Sequence, residues 1–207
     1  MAISTATDGD SLIARQIEGR LLLHDISWEQ YEKLLELFGN DHPSLRLTYL
    51  EGALEIMATS PEHERQKKVL GRLLEMWAVE RNVPLTGYGS ATFNKRAKER
   101  GLEPDECYVL GSRLVDMPDI AIEVVYRHGG INKLEVYAGL GIPEVWFWMD
   151  ARLVVFRLVG EQYERQEGST FLPDLDLVEL SAFALRSDTT DQTELVRAYR
   201  DALRSKV

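Results

Sequence analysis

One run of apolar residues, from 120 to 126, constrains the fold of this chain more than any other stretch. It reads IAIEVVY, and Glu123 is its only charged residue. A continuous run of β-branched and other apolar residues is typical of a strand that is covered on both faces. A carboxylate in such a strand is costly to desolvate unless it is paired, hydrogen-bonded or bound to a cation. The position of Glu123 therefore needs a chemical explanation.

From the residues alone, two interpretations of Glu123 stay open. It is either a structural carboxylate, ion-paired or facing solvent on a half-exposed strand, or a ligand of a hard divalent cation. The second interpretation explains more, because Mg²⁺ and Mn²⁺ take oxygen ligands and a site usually contains one or two carboxylates. A metal site of this kind predicts a second carboxylate near Glu123.

Asp105 is the candidate for that second carboxylate. It heads another predicted strand, residues 106–110, and Pro104 before it favours an extended backbone. Since the chain then turns and returns, two neighbouring strands would bring Asp105 and Glu123 together. Asp119 is another candidate, because its side chain would point to the same face of the strand as Glu123. It lies roughly 13 Å from Glu123 along the strand, however, which is too far for one metal ion. We therefore expect Asp119 to cap the strand entrance.

A third candidate residue is a cation, Lys133, which lies in the first turn of a predicted helix. Residues 131–140 have helical spacing of apolar side chains and end at Gly141, a residue type favoured just after a helix C-terminus. A lysine is unfavourable near the positive end of the helix dipole. Lys133 is therefore either a solvated surface lysine or an amine that is kept there for a function.

This pattern of two acids on adjacent strands followed by a lysine resembles the PD-(D/E)XK nuclease superfamily. More narrowly, the chain is similar to the Uma-type restriction endonuclease family, formerly a domain of unknown function. The likeness covers most of positions 27 to 180 and rests on the hairpin with Gly52, residues 60–64 (SPEHE), Pro104 with Asp105, residues 118–124 (PDIAIEV), Lys133 with Tyr137, and residues 141–146 (GIPEVW).

The resemblance implies a restriction-endonuclease-like core that binds Mg²⁺ or Mn²⁺ and cleaves phosphodiester bonds. In such a core, Asp105 and Glu123 bind the metal and, with Lys133, form the catalytic set. The usual lysine position, two residues after the glutamate, holds Val125 here, so the resemblance implies a migrated lysine. Residues 126–130 (YRHGG) replace the Ser-Pro-Ser turn of many relatives.

Two further residues, His63 and Glu64, are secondary site candidates. They lie in the first turn of a predicted helix, where the helix dipole alone explains an acidic residue and an exposed histidine needs no function. The resemblance adds a role, because a glutamate carried by a helix often supports the metal site in this superfamily.

The charge of the chain narrows the class of partner. A formal net charge of −10 argues against a protein that coats nucleic acid, because phosphate binding draws on an excess of cations. It does not exclude a nuclease with a local basic patch. A loop with Lys95, Arg96 and Lys98 is the candidate DNA-binding segment, and a solvated connecting loop explains these cations equally well.

The order of predicted elements indicates an α/β fold with a mixed sheet flanked by helices, and with an N-terminal helix and β-hairpin. Residues 1–19 are expected to form a flexible leader and residues 20–207 one domain. The predicted elements are a capped helix at 28–38, hairpin strands at 45–49 and 53–57 with Glu51 and Glu55 facing solvent, a helix at 61–81, a glycine-broken strand at 84–93, a buried strand at 145–149, a hairpin at 153–158 and 162–166, and a helix at 193–204.

Localisation and assembly follow from weaker signals. No run approaches the roughly 18 apolar residues of a membrane span, and the N-terminus lacks the plan of a signal peptide. We therefore expect a cytoplasmic protein with no membrane partner. The single cysteine, Cys107, excludes an intrachain disulfide and is expected to pack in the core. The helix at 193–204 is either a surface helix or a contact of a homo-oligomer.

The predicted function is that of a Mg²⁺-dependent endodeoxyribonuclease, with DNA as substrate. Two rivals use the same scaffold. One is a catalytically inactive module that binds nucleic acid or protein, which the acidic charge and Val125 favour. The other is a metal-dependent hydrolase of small phosphoesters, which would use the same residues.

Overall fold

The computed structural model describes residues 19–38, 42, 44–112, 116–126 and 130–206. These residues form eleven strands and five α-helices, with two short 3-10 helices at Arg96–Lys98 and Arg186–Asp188. In chain order the elements are β1 (Arg20–Leu23), α1 (Trp28–Phe38), β2 (Leu45–Leu50), β3 (Ala53–Ala58), α2 (Pro61–Arg81), β4 (Leu85–Gly87), β5 (Phe93–Lys95), β6 (Arg100–Leu102), β7 (Glu106–Leu110), β8 (Ile120–Val124), α3 (Lys133–Leu140), β9 (Glu144–Met149), β10 (Arg152–Val159), β11 (Gln162–Gln166), α4 (Leu177–Leu185) and α5 (Gln192–Arg204). The predicted leader, apart from Gly19, and residues 127–129 of the loop after β8 lie outside the described residues.

The strands form two sheets. The first is antiparallel, in the order β1-β3-β2-β6-β5. The second has the order β11-β10-β9-β8-β7-β4, and within its described strands only β8 and β9 run parallel. Because parallel strands need a crossover, α3 connects this pair. The expected α/β fold, with a mixed sheet, an N-terminal helix and a hairpin, is confirmed.

The segment predicted as one glycine-broken strand at 84–93 differs from that prediction. It contains two short strands in different sheets, because β4 pairs with β7 and β5 pairs with β6. Residues 88–92 between them form no strand. The cause is non-local, since each half finds its hydrogen-bond partners in a different sheet. The sequence also does not predict β1, β6 or α4.

The helix boundaries follow local capping signals. At the start of α1, Ser27 N donates to Gln30 Oε1 at 2.7 Å, and Gln30 N donates to Ser27 Oγ at 3.3 Å. At the start of α2, Ser60 Oγ accepts a hydrogen bond from His63 N at 3.1 Å. At the end of α3, Gly141 has a φ of 79°. These helices therefore begin and end where the sequence predicts, within two residues.

β8 separates two parts of the core. Ile120, Ile122 and Val124 point to one face, in an apolar cluster with side chains of α2, α4 and α5. Ala121 points to the other face, in a cluster with side chains of α3. Because side chains alternate along a strand, Glu123 shares the face of Ala121 and points toward α3.

Three smaller observations complete the fold. Cys107 is fully buried, in agreement with its predicted packing role. Trp146 and Trp148 of β9 are buried in the core as well. No helix within the described residues combines the length and apolar character needed to cross a membrane.

Candidate active site

The two predicted acids lie next to each other where β7 and β8 pair. These strands are antiparallel, and Glu106 stands opposite Ile122. The next two residues are Asp105, just before β7, and Glu123 on β8, which are 1% and 0% exposed. The Val124 N–H donates a hydrogen bond to Asp105 Oδ2 at 2.7 Å. The two carboxylates therefore share one buried environment.

α3 brings an amine and a hydroxyl group to Glu123. The Lys133 amine donates to Glu123 Oε2 at 2.6 Å, and the Tyr137 hydroxyl donates to Glu123 Oε1. The four-residue spacing puts both side chains on one face of the helix. The side chain of Lys133 is 17% exposed, so it is not a solvated surface lysine. The apolar spacing of residues 131–140 predicts only a packing role for Tyr137. The resemblance to the family is the further sequence signal that places Tyr137 with Lys133.

α2 contributes a buried histidine. His63 is 0% exposed, and its Nε2 atom lies 3.1 Å from Asp105 Oδ2. Its Nδ1 atom lies 3.8 Å from Glu64 Oε1. Glu64 also accepts a hydrogen bond from the Lys67 amine at 3.1 Å. His63 is therefore buried rather than exposed, and it contacts Asp105 directly. Glu64 lies near the other ring nitrogen of His63.

Burial and neighbouring charge shift the two acids in opposite directions. Burial raises the pKa of the Glu123 carboxyl, Lys133 counters this effect only in part, and the charge of Asp105 adds to it. Burial also opposes ionisation of Asp105, but the contact with His63 and the charge of Lys133 outweigh burial and lower its pKa. An additional cation would stabilise both carboxylates in the ionised form.

The amine and the phenol at Glu123 remain protonated. Burial opposes the charge of Lys133, but the Glu123 and Asp105 carboxylates outweigh burial and raise the pKa of the amine. Burial and the Glu123 charge raise the pKa of the Tyr137 hydroxyl well above its ordinary value. Both groups are therefore hydrogen-bond donors at neutral pH, and Glu123 is their acceptor.

The donor set fits a hard divalent cation. Such ions prefer oxygen ligands, and Mg²⁺ is usually bound through one or two carboxylates, with water and substrate phosphate completing its coordination. Asp105 and Glu123 are two carboxylates in one environment. Within the described part of the chain, no group of three or more His, Cys, Asp or Glu side chains could hold a metal ion. The protein would therefore supply two carboxylate ligands and leave the remaining positions to other oxygen atoms.

Comparison with known proteins identifies the family of this chain. The Uma2 family, described as "Putative restriction endonuclease", matches residues 28–190. The chain belongs to this family. A solved structure from Anabaena variabilis ATCC 29413, described as a "putative nuclease belonging to DUF820", is similar, with 14% identity and a TM-score of 0.47 over 67% of this chain and 90% of that chain. No curated protein matches the sequence.

Within this Uma2-family chain, Asp119 has a structural contact. Its Oδ2 atom accepts a hydrogen bond from the Leu110 N–H at 2.8 Å. This bond joins the beginning of β8 to the end of β7. The predicted capping role of Asp119 is therefore confirmed.

The prediction that Glu55 faces solvent is wrong. Glu55 is 2% exposed, whereas Glu51 of the same hairpin is exposed as predicted. Its neighbours Leu54 and Ile56 belong to the apolar cluster with α1, so Glu55 points to the opposite face of the sheet. That face is covered by the segment before α3, where the Ile131 N–H donates to Glu55 Oε2 at 3.1 Å. Strand alternation predicts which residues share a face, but not what covers that face.

The three cations of the predicted DNA-binding loop have different surroundings. The Lys95 amine donates to the Leu140 carbonyl at 2.5 Å, at the C-terminal end of α3. Arg96 pairs with two glutamates of α1. Lys98 is exposed, and no ion pair of Lys98 with another described residue is found. Of the three, Lys98 is the cation most accessible to a ligand, and the DNA-binding role of the loop stays a prediction.

Proposed function

We propose that this chain is a metal-dependent endonuclease that hydrolyses phosphodiester bonds of DNA. The proposal rests on one observation above all: Asp105, Glu123 and Lys133, which are distant in sequence, meet in one buried environment. Membership of the Uma2 family supports the nuclease class. A structural ion pair requires only one acid and one base, whereas this site buries a second acid beside the first, at an energetic cost.

In the proposed mechanism, Asp105 and Glu123 would hold Mg²⁺ or Mn²⁺, and the Val124 carbonyl would be a further oxygen ligand. When bound, the metal lowers the pKa of a water molecule and offsets negative charge on the phosphate. The Val124 N–H and His63 orient Asp105, and Tyr137 orients Glu123. Hydrogen-bond partners of this kind fix the direction of a metal ligand.

Lys133 supplies the positive charge of the proposed site. Its amine donates to Glu123 at 2.6 Å, and its side chain is 17% exposed, more than that of Asp105 or Glu123. A cation fixed in a dehydrated site stabilises the negative charge that develops on the phosphoryl oxygens, and it orients the attacking water. Because the amine comes from α3, the apolar Val125 at the usual lysine position is compatible with catalysis.

The test of this proposal is cleavage of supercoiled plasmid DNA by the purified protein with Mg²⁺ or Mn²⁺. Asp105→Asn and Lys133→Met should each lower the cleavage rate by about 100-fold or more, because the first removes a metal ligand and the second removes the positive charge that acts on the phosphate. The matched control is Glu106→Gln, a buried carboxylate adjacent to Asp105 that pairs with Lys68 instead. It should cleave like the wild type. Full cleavage by a folded Asp105→Asn variant would falsify the assignment.

Metal dependence is tested separately. Calorimetric titration of Mn²⁺ into the wild-type protein should release or absorb measurable heat, and the Asp105→Asn variant should give none. A chelator should stop plasmid cleavage, and added Mn²⁺ should restore it. Cleavage that continues in excess chelator would show that the hydrolysis does not use a metal.

The second candidate function is a catalytically inactive module that binds nucleic acid or protein. The observation that favours it is that both carboxylate oxygens of Glu123 accept hydrogen bonds, one from Lys133 and one from Tyr137. That arrangement is satisfied without a metal. An inactive module gives no heat with Mn²⁺ and no nicked plasmid. Assays with single-stranded DNA and a small phosphodiester separate a DNA nuclease from a hydrolase of small phosphoesters.

A further inference from the structure

A buried glutamate of the first sheet contacts the segment that leads into α3. Glu55 lies on β3, opposite Leu22 of β1 and Thr48 of β2, and is 2% exposed. Its Oε2 atom accepts the hydrogen bond from the Ile131 N–H at 3.1 Å, two residues before Lys133. The mechanism proposed above makes no use of this carboxylate.

The turn at Gly130 is shaped for this contact. Gly130 has a φ of +92°, in the left-handed region that favours glycine. A Cβ atom at this position would overlap Glu55 Oε2 and would lie 3.0 Å from a terminal nitrogen of Arg20. Only glycine therefore lets the carboxylate approach the backbone of this turn so closely.

Arg20 on β1 completes the arrangement. Its Nε atom lies 3.6 Å from Glu55 Oε2, the same oxygen that accepts the hydrogen bond from the Ile131 N–H. A hydrogen bond to a carboxylate is charge-assisted, which strengthens the contact between Glu55 and the Ile131 N–H. The first sheet is thereby linked to the segment that precedes the helix with the proposed catalytic amine.

The start of α3 explains why such a link matters. Lys133 is the first residue of the helix, with only the cap residue Asn132 between it and Ile131. No preceding helical turn holds its backbone, so the position of the amine depends on the residues just before it. The N-terminal residues of a helix also lack partners for their N–H groups within the helix.

We propose that Glu55 is a positioning residue for Lys133. By holding the backbone at Ile131, it fixes the start of α3 so that the amine stands at Glu123. The inference rests on the proposed nuclease function, in which Lys133 acts on the phosphate. Glu55 itself touches neither the metal ligands nor the substrate in this scheme.

The first test is a double-mutant cycle on the plasmid-cleavage rate. Glu55→Ala should lower kcat by about 10- to 100-fold, the scale of a misplaced catalytic group, with KM for DNA little changed. In the Lys133→Met background the same substitution should cause no further loss, because Glu55 acts only through the amine. Equal losses in the two backgrounds would overturn the proposal.

Two further variants distinguish the hydrogen bond from general damage to the hairpin. Glu55→Gln keeps an oxygen acceptor for the Ile131 N–H, so it should recover most of the kcat that Glu55→Ala loses. Glu51→Ala, on the exposed turn of the same hairpin, is the matched control and should cleave like the wild type. A Glu55→Gln variant as impaired as Glu55→Ala would contradict the positioning role.

A second test does not depend on cleavage. Amide hydrogen exchange of the peptide containing Ile131 should become faster in Glu55→Ala than in Glu55→Gln, while α2 and β9 keep their protection. If Glu55→Ala loses protection throughout the chain, the exchange of Gly130→Ala is measured instead. In that variant the added methyl group displaces the carboxylate from the turn and leaves every charge in place. Unchanged exchange at Ile131 overturns the proposal.

The two tests separate this inference from the proposed function. If the wild-type protein cleaves no DNA, the nuclease proposal fails, and the exchange rates still decide whether Glu55 holds the turn before α3. If the protein cleaves DNA and the cycle is additive, the nuclease proposal stands and the positioning role fails.

Discussion

Two glutamates of the second sheet are equally buried, but their surroundings differ. Glu123, near the end of β8, and Glu144, at the start of β9, are each 0% exposed. Glu144 accepts hydrogen bonds from the Trp146 indole N–H at 2.6 Å and from the Thr170 N–H at 2.9 Å, both of them neutral donors. Glu123 faces a charged amine, a phenol and a second carboxylate.

The difference shows that burial of a carboxylate does not by itself indicate a functional site. Glu144 has its hydrogen bonds satisfied by neutral groups, and it joins the start of β9 to the segment around Thr170, so its role is structural. Glu123 lies beside Asp105, and two buried acids repel each other unless a cation compensates. At this site Lys133 and His63 provide that compensation, and clusters of interacting buried charges are typical of positions that bind a ligand or act in catalysis.

The largest expected difference between the two glutamates is in activity. Glu123→Gln should lower the Mg²⁺-dependent cleavage of plasmid by about 1000-fold, because a neutral amide no longer holds the cation or balances Lys133. Glu144→Gln should cleave at close to the wild-type rate. Single-turnover rates, measured well below the unfolding temperature of both variants, provide the comparison. Similar losses in both variants would mean that burial alone, and not the surroundings, decides the role.

The second expected difference is in stability, and it has the opposite order. Glu144→Gln replaces an acceptor oxygen by an NH₂ group that faces a buried donor, which should lower the free energy of unfolding by about 2–4 kcal/mol. Glu123→Gln should lower it by less than Glu144→Gln does, because the amide oxygen still accepts from Lys133, Asp105 remains as a counter-charge for the amine, and the repulsion between two buried acids is removed. Urea unfolding followed by circular dichroism measures both values. A Glu123→Gln protein that is the less stable of the two would assign Glu123 a structural role.

Local sequence signals predict part of this site. An acid interrupting an apolar strand, a proline before Asp105 and a glycine after α3 are each readable within a few residues, and the structure brings Asp105, Glu123 and Lys133 together. Helix ends were predicted well for the same reason, since a capping residue acts on its own neighbours.

The remaining features depend on contacts between distant segments. Glu55 follows a correct strand pattern, but no local signal states that the turn at Gly130 covers its face. The sequence predicts that Arg96 and Lys95 bind DNA or lie in a solvated loop. It does not predict their contacts, because the glutamates of α1 and the end of α3 lie far away in sequence. The split of residues 84–93 between two sheets has the same origin. Pairing partners of strands and of charges are set by the tertiary fold.

The smallest expected effect is on DNA binding by the loop before β6. There, too, one cation is paired within the protein and another is left for a ligand. Binding of duplex DNA is measured by fluorescence anisotropy in the Glu123→Gln background, which prevents cleavage. Lys98→Ala should weaken binding modestly and reduce the slope of log affinity against log salt concentration by about 1, the effect of one lost phosphate contact.

Arg96→Ala is the matched control for that measurement. Its guanidinium is paired with two glutamates of α1, so removing it should change the salt slope less than removing Lys98 does. An exposed ion pair contributes little to stability, so the variant should fold normally. A larger slope change for Arg96→Ala would show that DNA displaces the α1 glutamates from this arginine. In that case a cation with a partner inside the protein could still bind substrate at the surface. The difference between Glu123 and Glu144 would then apply only to buried groups, because separating a buried charge from its partner is far more costly than separating an exposed one.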